Sequence, residues 1–138
     1  MARVRADEAV FTDADRWRGL DADGLVGQAV REVARIFTRH AAFLRSVVLV
    51  SGAHPEVYRR GVGYSTELGD LFAGVLLRAR DQMDPEGAVR SAFTSVFSTF
   101  VVRVAYGPAI AVGEVDGDAF VESLSTMVSR YLLRPKAC

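Results

Sequence analysis

Residues 53–83 read AHPEVYRRGVGYSTELGDLFAGVLLRARDQM. Within them Val57, Tyr58, Val62, Ser65, Leu68, Phe72, Val75 and Ala79 recur at steps of three and four. That spacing keeps side chains on one side of a helix with 3.6 residues per turn. Pro55 suits the first helical position, where its missing N–H costs nothing, and His54 stands beside it as a cap. The pattern predicts one long helix ending near Met83, spanning roughly 40 Å at about 1.5 Å per residue, on which other helices pack. Gly61, Gly63, Gly69 and Gly74 interrupt it, each at about 0.8–1 kcal/mol against alanine. They mark a close helix crossing, a bend beside Tyr64 and Leu68, or tolerated drift.

Working outward, a helix is expected from about Asp23 to His40, with Asp23 as N-cap and Leu25, Ala29, Val33, Ile36, Phe37 and His40 on its buried face. The next, about Ala42 to Gly52, is apolar almost all round apart from Arg45 and Ser46, so it is expected at the centre. Asp84-Pro85-Glu86 opens a helix from Pro85 to Tyr106, closed by Gly107-Pro108, and Ala109 to Gly117 reads as a loop. The last helix spans Asp118 to Leu133, with acids Asp116, Asp118 and Glu122 near its start and Arg130 and Arg134 near its end, as the macrodipole favours. Nothing alternates like an exposed strand. The fold class is therefore all-α, a bundle of five to six helices, with residues 23–134 as one domain, a poorly patterned segment 1–22, and a tail 135–138.

Acidic and basic residues balance to zero net charge and are interleaved, unlike a nucleic-acid or anionic-membrane footprint. The single cysteine, Cys138, has no partner within the chain, and Met1 to Val10 carries charge where a secretory leader would be apolar. A cytoplasmic location is expected. Between Ser91 and Gly113 Arg103 is the only charge, yet Ser91, Thr94, Ser95, Ser98, Thr99 and Gly107-Pro108 interrupt the run, so no membrane span is expected. His40 and His54 lack the spacing of a helical metal pair. Asp21-Ala22-Asp23-Gly24 fails as a calcium loop, because its first and last ligand positions fall on Gly19 and Val30. No catalytic residue, metal site or cofactor is assigned.

The last two helices mix bulk with small hydroxyl residues, and each has more than one packable face. Such helices meeting their copies across a two-fold axis form a four-helix bundle. Ser91, Thr94, Ser95, Ser98, Val102, Leu124, Met127 and Tyr131 are the expected dimer face. Arg31, Arg35 and Arg39, four apart, form a basic stripe that reads first as a solvated face.

VGQAVREVARIFTRHAAFLRSVVL from Val26, HPEVYRRGVGYSTELGDLFAGVLL from His54, FSTFVVRVAYGP from Phe97 and FVESLSTMVSRYLLR from Phe120 occur in that order. Together they resemble the C-terminal half of tetracycline-repressor-like (TetR) transcriptional regulators. The resemblance implies a homodimer through the last two helices and an effector pocket among the central helices, near Phe37, Leu44, Val48, Tyr64, Leu68, Phe93 and Phe97. The effector implied is an unidentified small apolar or aromatic molecule, oriented by groups such as Tyr64, Thr66 or Arg103. Only about twenty residues precede Gly24, so the family's DNA-binding domain is expected to be absent from these residues, and with it direct DNA binding. The alternative function is a helical interaction module that pairs with full-length relatives and modulates their DNA binding.

Overall fold

A computed structural model describes residues 2–82, 86–107 and 117–133. The chain is an all-α bundle, with no strand among the described residues. Its helices are α1 (Ala2–Asp7), α2 (Ala14–Trp17), α3 (Ala22–Arg39), α4 (Ala41–Ser51), α5 (Pro55–Leu76), α6 (Glu86–Tyr106) and α7 (Gly117–Leu132), with 3-10 turns at Glu8–Thr12 and Leu77–Gln82.

The axis of the bundle is α3. Val26, Ala29, Val30 and Val33 are completely buried, and Leu25, Ile36 and Phe37 nearly so. Small and β-branched side chains along this face let α5, α6 and α7 approach closely. Asp21 rather than Asp23 caps the helix, its carboxylate accepting the Gly24 N–H at 2.8 Å. Asp23 instead accepts a hydrogen bond from Ser129 on α7. Ser125 and Ser129 are buried, so two of the serines in the last helix face inward.

The 22 residues of α5 extend roughly 33 Å, at about 1.5 Å per residue, shorter than the expected run to Met83. The chain tightens to a 3-10 turn after Leu76 and leaves helical geometry at Ala79, with φ −111° and ψ 32°; Met83 lies outside the described residues. Leu68, Phe72, Val75 and Ala79 are buried as the spacing requires. Tyr58 and Val62, expected on the buried face, are exposed. Of the four glycines only Gly69 marks a close crossing: a Cβ there would stand 3.1 Å from the Phe93 ring. Gly61, Gly63 and Gly74 face open space.

Helix α4 is not central. Only Leu44 is buried, while Phe43, Leu49 and Val50 are exposed. Eleven residues against one side of α5 and α6 leave the opposite side uncovered. Helix α6 runs unbroken to Tyr106, where Gly107 adopts φ +96° and its N–H closes on the Arg103 carbonyl at 2.8 Å, a left-handed C-terminal stop suited to glycine. The stretch Gly87–Tyr106 is long and apolar enough to cross a membrane by length and composition alone, and a third of it is buried in the bundle. Asp84, Pro85, the loop expected to span 109–117 up to Asp116, and Arg134 fall outside the described residues.

The segment 1–22, which carries no periodic pattern, is built into the same core. Val4, Phe11 and Trp17 are buried in it. The Trp17 ring stacks on Phe11 at 5.7 Å, and its indole N–H donates to the Val10 carbonyl at 2.8 Å. Arg16 donates to the buried Glu32 at 3.1 Å. Asp7 receives Arg39 at 3.1 Å and approaches His40 Nε2 at 2.6 Å, tying α1 to the junction of α3 and α4.

Trp17→Ala is expected to lower unfolding stability in urea by about 3–5 kcal/mol, since a fully buried ring is lost. Gly63→Ala and Gly74→Ala should each raise it by about 0.5–1 kcal/mol. Gly69→Ala should show no such gain, because the added methyl would stand 3.1 Å from the Phe93 ring and displace it from its contacts with Phe72 and Phe97.

Candidate functional site

Six phenylalanines form a continuous aromatic ladder through the bundle. Phe72 on α5 touches Phe93 on α6 at 5.3 Å between ring centroids, and Phe93 touches Phe97 at 5.5 Å. Phe37 on α3 then packs edge-on to Phe97 at 5.3 Å and stacks on Phe100 at 5.6 Å. Phe120 on α7 meets Phe100 edge-on at 6.2 Å, and the Arg103 guanidinium lies 3.9 Å above the Phe120 ring. Spacings of three and four on α6 place Phe93, Phe97 and Phe100 on one side of that helix, so the ladder follows from the register of α6 against α3.

The outer end of this ladder opens into a groove of about 1020 Å³ between α3, α4, α6 and α7. Phe37, Phe100 and Phe120 form its apolar floor, and Arg31, Arg35, Arg45 and Arg103 stand on its walls. Arg31 grips Glu122 across the groove through two hydrogen bonds of 2.8 and 3.1 Å. This fork raises the Arg31 pKa and holds the Glu122 carboxyl below its ordinary value. Arg35 sits 2.8 Å from Glu32. Arg45 makes no ion pair among the described residues. The basic stripe is solvent-exposed, as expected, and each of its guanidiniums also forms an ion pair at its edge: Arg31 with Glu122 on α7, Arg35 with Glu32 and Arg39 with Asp7.

A smaller cleft of about 390 Å³ lies between α5 and α6, with Phe93 and Phe97 at its base and Thr66, Thr94 and Ser98 at its rim. The residues expected around one effector pocket are therefore divided. Phe37 and Arg103 line the large groove, and Phe93 and Phe97 the small cleft. Leu44 and Leu68 are buried core, and Val48 is half-buried on α4; none of the three lines either space. Arg45, Phe100 and Phe120, which line the groove, are not among the residues expected at the pocket. A lone charge on an otherwise apolar helix was the signal available for Arg45.

Tyr64 points elsewhere, into an acidic cluster under the N-terminal segment. Its phenol is buried without a hydrogen bond among the described residues. Burial, followed by the charges of Glu8, Asp7 and Glu67, pushes its pKa up. Glu8 is buried in the 3-10 turn against α5, and its pKa rises to about 7. Burial is the largest cause, then repulsion from Glu67 and a hydrogen bond to it, with Arg5 opposing. A neutral Glu8 suits this position.

Of the residues expected at a dimer face, Ser91, Thr94, Ser95, Ser98 and Val102 are exposed on α6, and Met127 and Tyr131 on α7. Leu124 is half-buried and packs against the core. The Thr94, Thr99 and Thr126 hydroxyls donate to carbonyls of their own helices, four residues back, which satisfies them without a partner.

No protein-family model, curated protein or solved structure matches this chain.

Because the folded-state pKa of Glu8 lies above its ordinary 4.5, the folded chain holds a proton that the unfolded chain releases. The stability this confers is fully present below about pH 4.5 and is lost as pH rises through about 7. Glu8→Gln is expected to flatten that decline, so that the variant melts above the parent at pH 8 and the two converge at pH 4.5 in thermal scans.

Proposed function

We propose that this chain is the ligand-sensing and dimerisation core of a transcriptional regulator of the tetracycline-repressor-like kind. The observation that carries this reading is the outer face of α6 and α7, where Val102, Tyr106, Met127 and Tyr131 remain 42–73% exposed beside short, self-satisfied hydroxyl side chains. Large apolar groups on two neighbouring helices, flanked by side chains small enough to let a second pair approach, suit a symmetric four-helix contact. The groove supports the sensing half of the reading, since its volume and aromatic floor suit a small organic molecule.

Regulation in such a core requires only that the effector bind one arrangement of the helices better than another. The groove walls come from α3, α4, α6 and α7, and the Arg31–Glu122 fork spans it between α3 and α7. A molecule seated there touches both the proposed dimer helices and the axis of the bundle. Occupancy would therefore bias the angle of α3 against the dimer face.

Light scattering across a dilution series should give about twice the 15.0 kDa chain mass. The double variant Met127→Asp, Tyr131→Asp should give one chain mass with an unchanged helical circular dichroism spectrum, because both side chains are exposed in the isolated bundle. A parent protein that stays monomeric at high concentration would sink the proposal.

A further inference from the structure

We infer that α1 and the 3-10 turn Glu8–Thr12 form a proton-operated latch, seated on α5 while the Glu8 carboxyl is neutral and released, with the long helices still folded, when Glu8 ionises. The inference stands apart from the groove and from the dimer face. Glu8 is only 7% exposed, enclosed between its own turn and α5. No N–H or O–H among the described residues donates to its Oε1 atom, and the buried Tyr64 phenol on α5 is also without a partner among them. The groups that face Glu8 are Tyr64 and Glu67 from α5 and Arg5 from α1. Glu67 is within hydrogen-bonding reach, a contact that exists only while one of the two carboxyls holds a proton. Arg5 lies 3.8 Å from Glu67, but both side chains are about half exposed, so water screens the guanidinium. Asp7 adds negative charge beside Tyr64, and its carboxylate is engaged by Arg39 and His40. An ionised Glu8 in this seat is therefore dry, opposed by a like charge and without a donor.

The N-terminal segment divides at Asp13. This residue is extended, with φ −82° and ψ 98°, between the turn and α2. Its carboxylate caps α2 by accepting the Asp15 N–H at 3.2 Å, and Arg16 ties α2 to the buried Glu32 of α3. Helix α2 thus has its own hold on the bundle and stays when the residues before Asp13 leave. The latch itself is held by the apolar side chains of Val4, Val10 and Phe11 and by the Asp7 cluster. So few contacts let the loss of one proton act on the latch before it acts on the long helices. Release uncovers Tyr64 on α5. Burial and Glu67 raise the Glu8 pKa from 4.5 to about 7 in the seated latch. The released residue returns to its ordinary value, so the proton favours seating fully below about pH 4.5 and ceases to do so as pH rises through about 7.

The test is amide hydrogen exchange of the full chain, followed peptide by peptide and corrected for the intrinsic exchange rate at each pH. Protection of residues 2–12 is expected to lie below that of α3 throughout and to fall about thirtyfold between about pH 5.5 and about pH 8.5, the factor set by a pKa of 4.5 when released and about 7 when seated. Glu8→Gln should abolish the fall. Glu67→Gln, which removes the facing charge and leaves the burial, should reduce it. Helical circular dichroism unchanged over the same pH range would confirm that the long helices stay folded. Protection of residues 2–12 that does not change with pH, or that falls equally in Glu8→Gln, overturns the inference. So does protection equal to that of α3 at every pH, or a loss of helical signal over the range, since either means that the segment leaves only when the whole bundle unfolds.

Discussion

Everything in this bundle is arranged around the burial of one face of α3. Val26, Ala29, Val30 and Val33 have no solvent contact at all. The three valines contribute on the order of 1.5–3 kcal/mol each for an aliphatic side chain removed from water, and the methyl of Ala29 about 0.8 kcal/mol; their small size sets how near the neighbouring helices come. Helices α5, α6 and α7 each supply completely buried partners, Leu68 and Phe72, Val89 and Val96, and Leu132. The N-terminal segment closes the remaining side with Val4, Phe11 and Trp17. Moving α3 would disturb every layer at once.

The charged edge of the same helix orients what the apolar face holds. Arg31, Arg35 and Arg39 reach, in order, α7, the buried carboxylate of Glu32 and α1. Half-exposed pairs of this kind are worth about 0–1 kcal/mol each, so their effect is geometric more than energetic. Glu32 is different. Its carboxylate is 3% exposed and is approached by Arg16, Gln28 and Arg35. Losing one of those partners would strand charge in the interior, which is the costly case. The register of α2 on α3 is therefore guarded by a buried charge as well as by the Trp17 ring.

The order and class of α3, α5, α6 and α7 were legible because each packs side chains at steps of three and four against the core over four or more turns. The position of α4 was not. An all-round apolar pattern signals burial, yet α4 lies at the rim with Phe43, Leu49 and Val50 uncovered, and periodicity has no means of telling a core helix from one awaiting a partner. Segment 1–22 was opaque for another reason. Val4, Phe11 and Trp17 are carried on two short helices and a 3-10 turn, so the spacing never repeats. At the candidate site the rings of α6 were visible, whereas the Arg31–Glu122 fork joins residues 91 apart and leaves no local trace. The family resemblance placed Tyr64 and Leu68 at a pocket, and their pattern offered no check, because an inward-facing side chain looks the same whether it meets a cavity or a neighbouring helix.

Trp17 is the only tryptophan in the chain, and it is seated where the N-terminal segment locks onto the bundle, its ring on Phe11 and its N–H on the Val10 carbonyl. Indole emission from this protein therefore originates at a single joint. Its wavelength reports whether that joint is dry or wet while the far-ultraviolet signal of the long helices reports the rest. The Trp17 joint and the long helices are therefore followed by two different optical signals in the unlabelled protein.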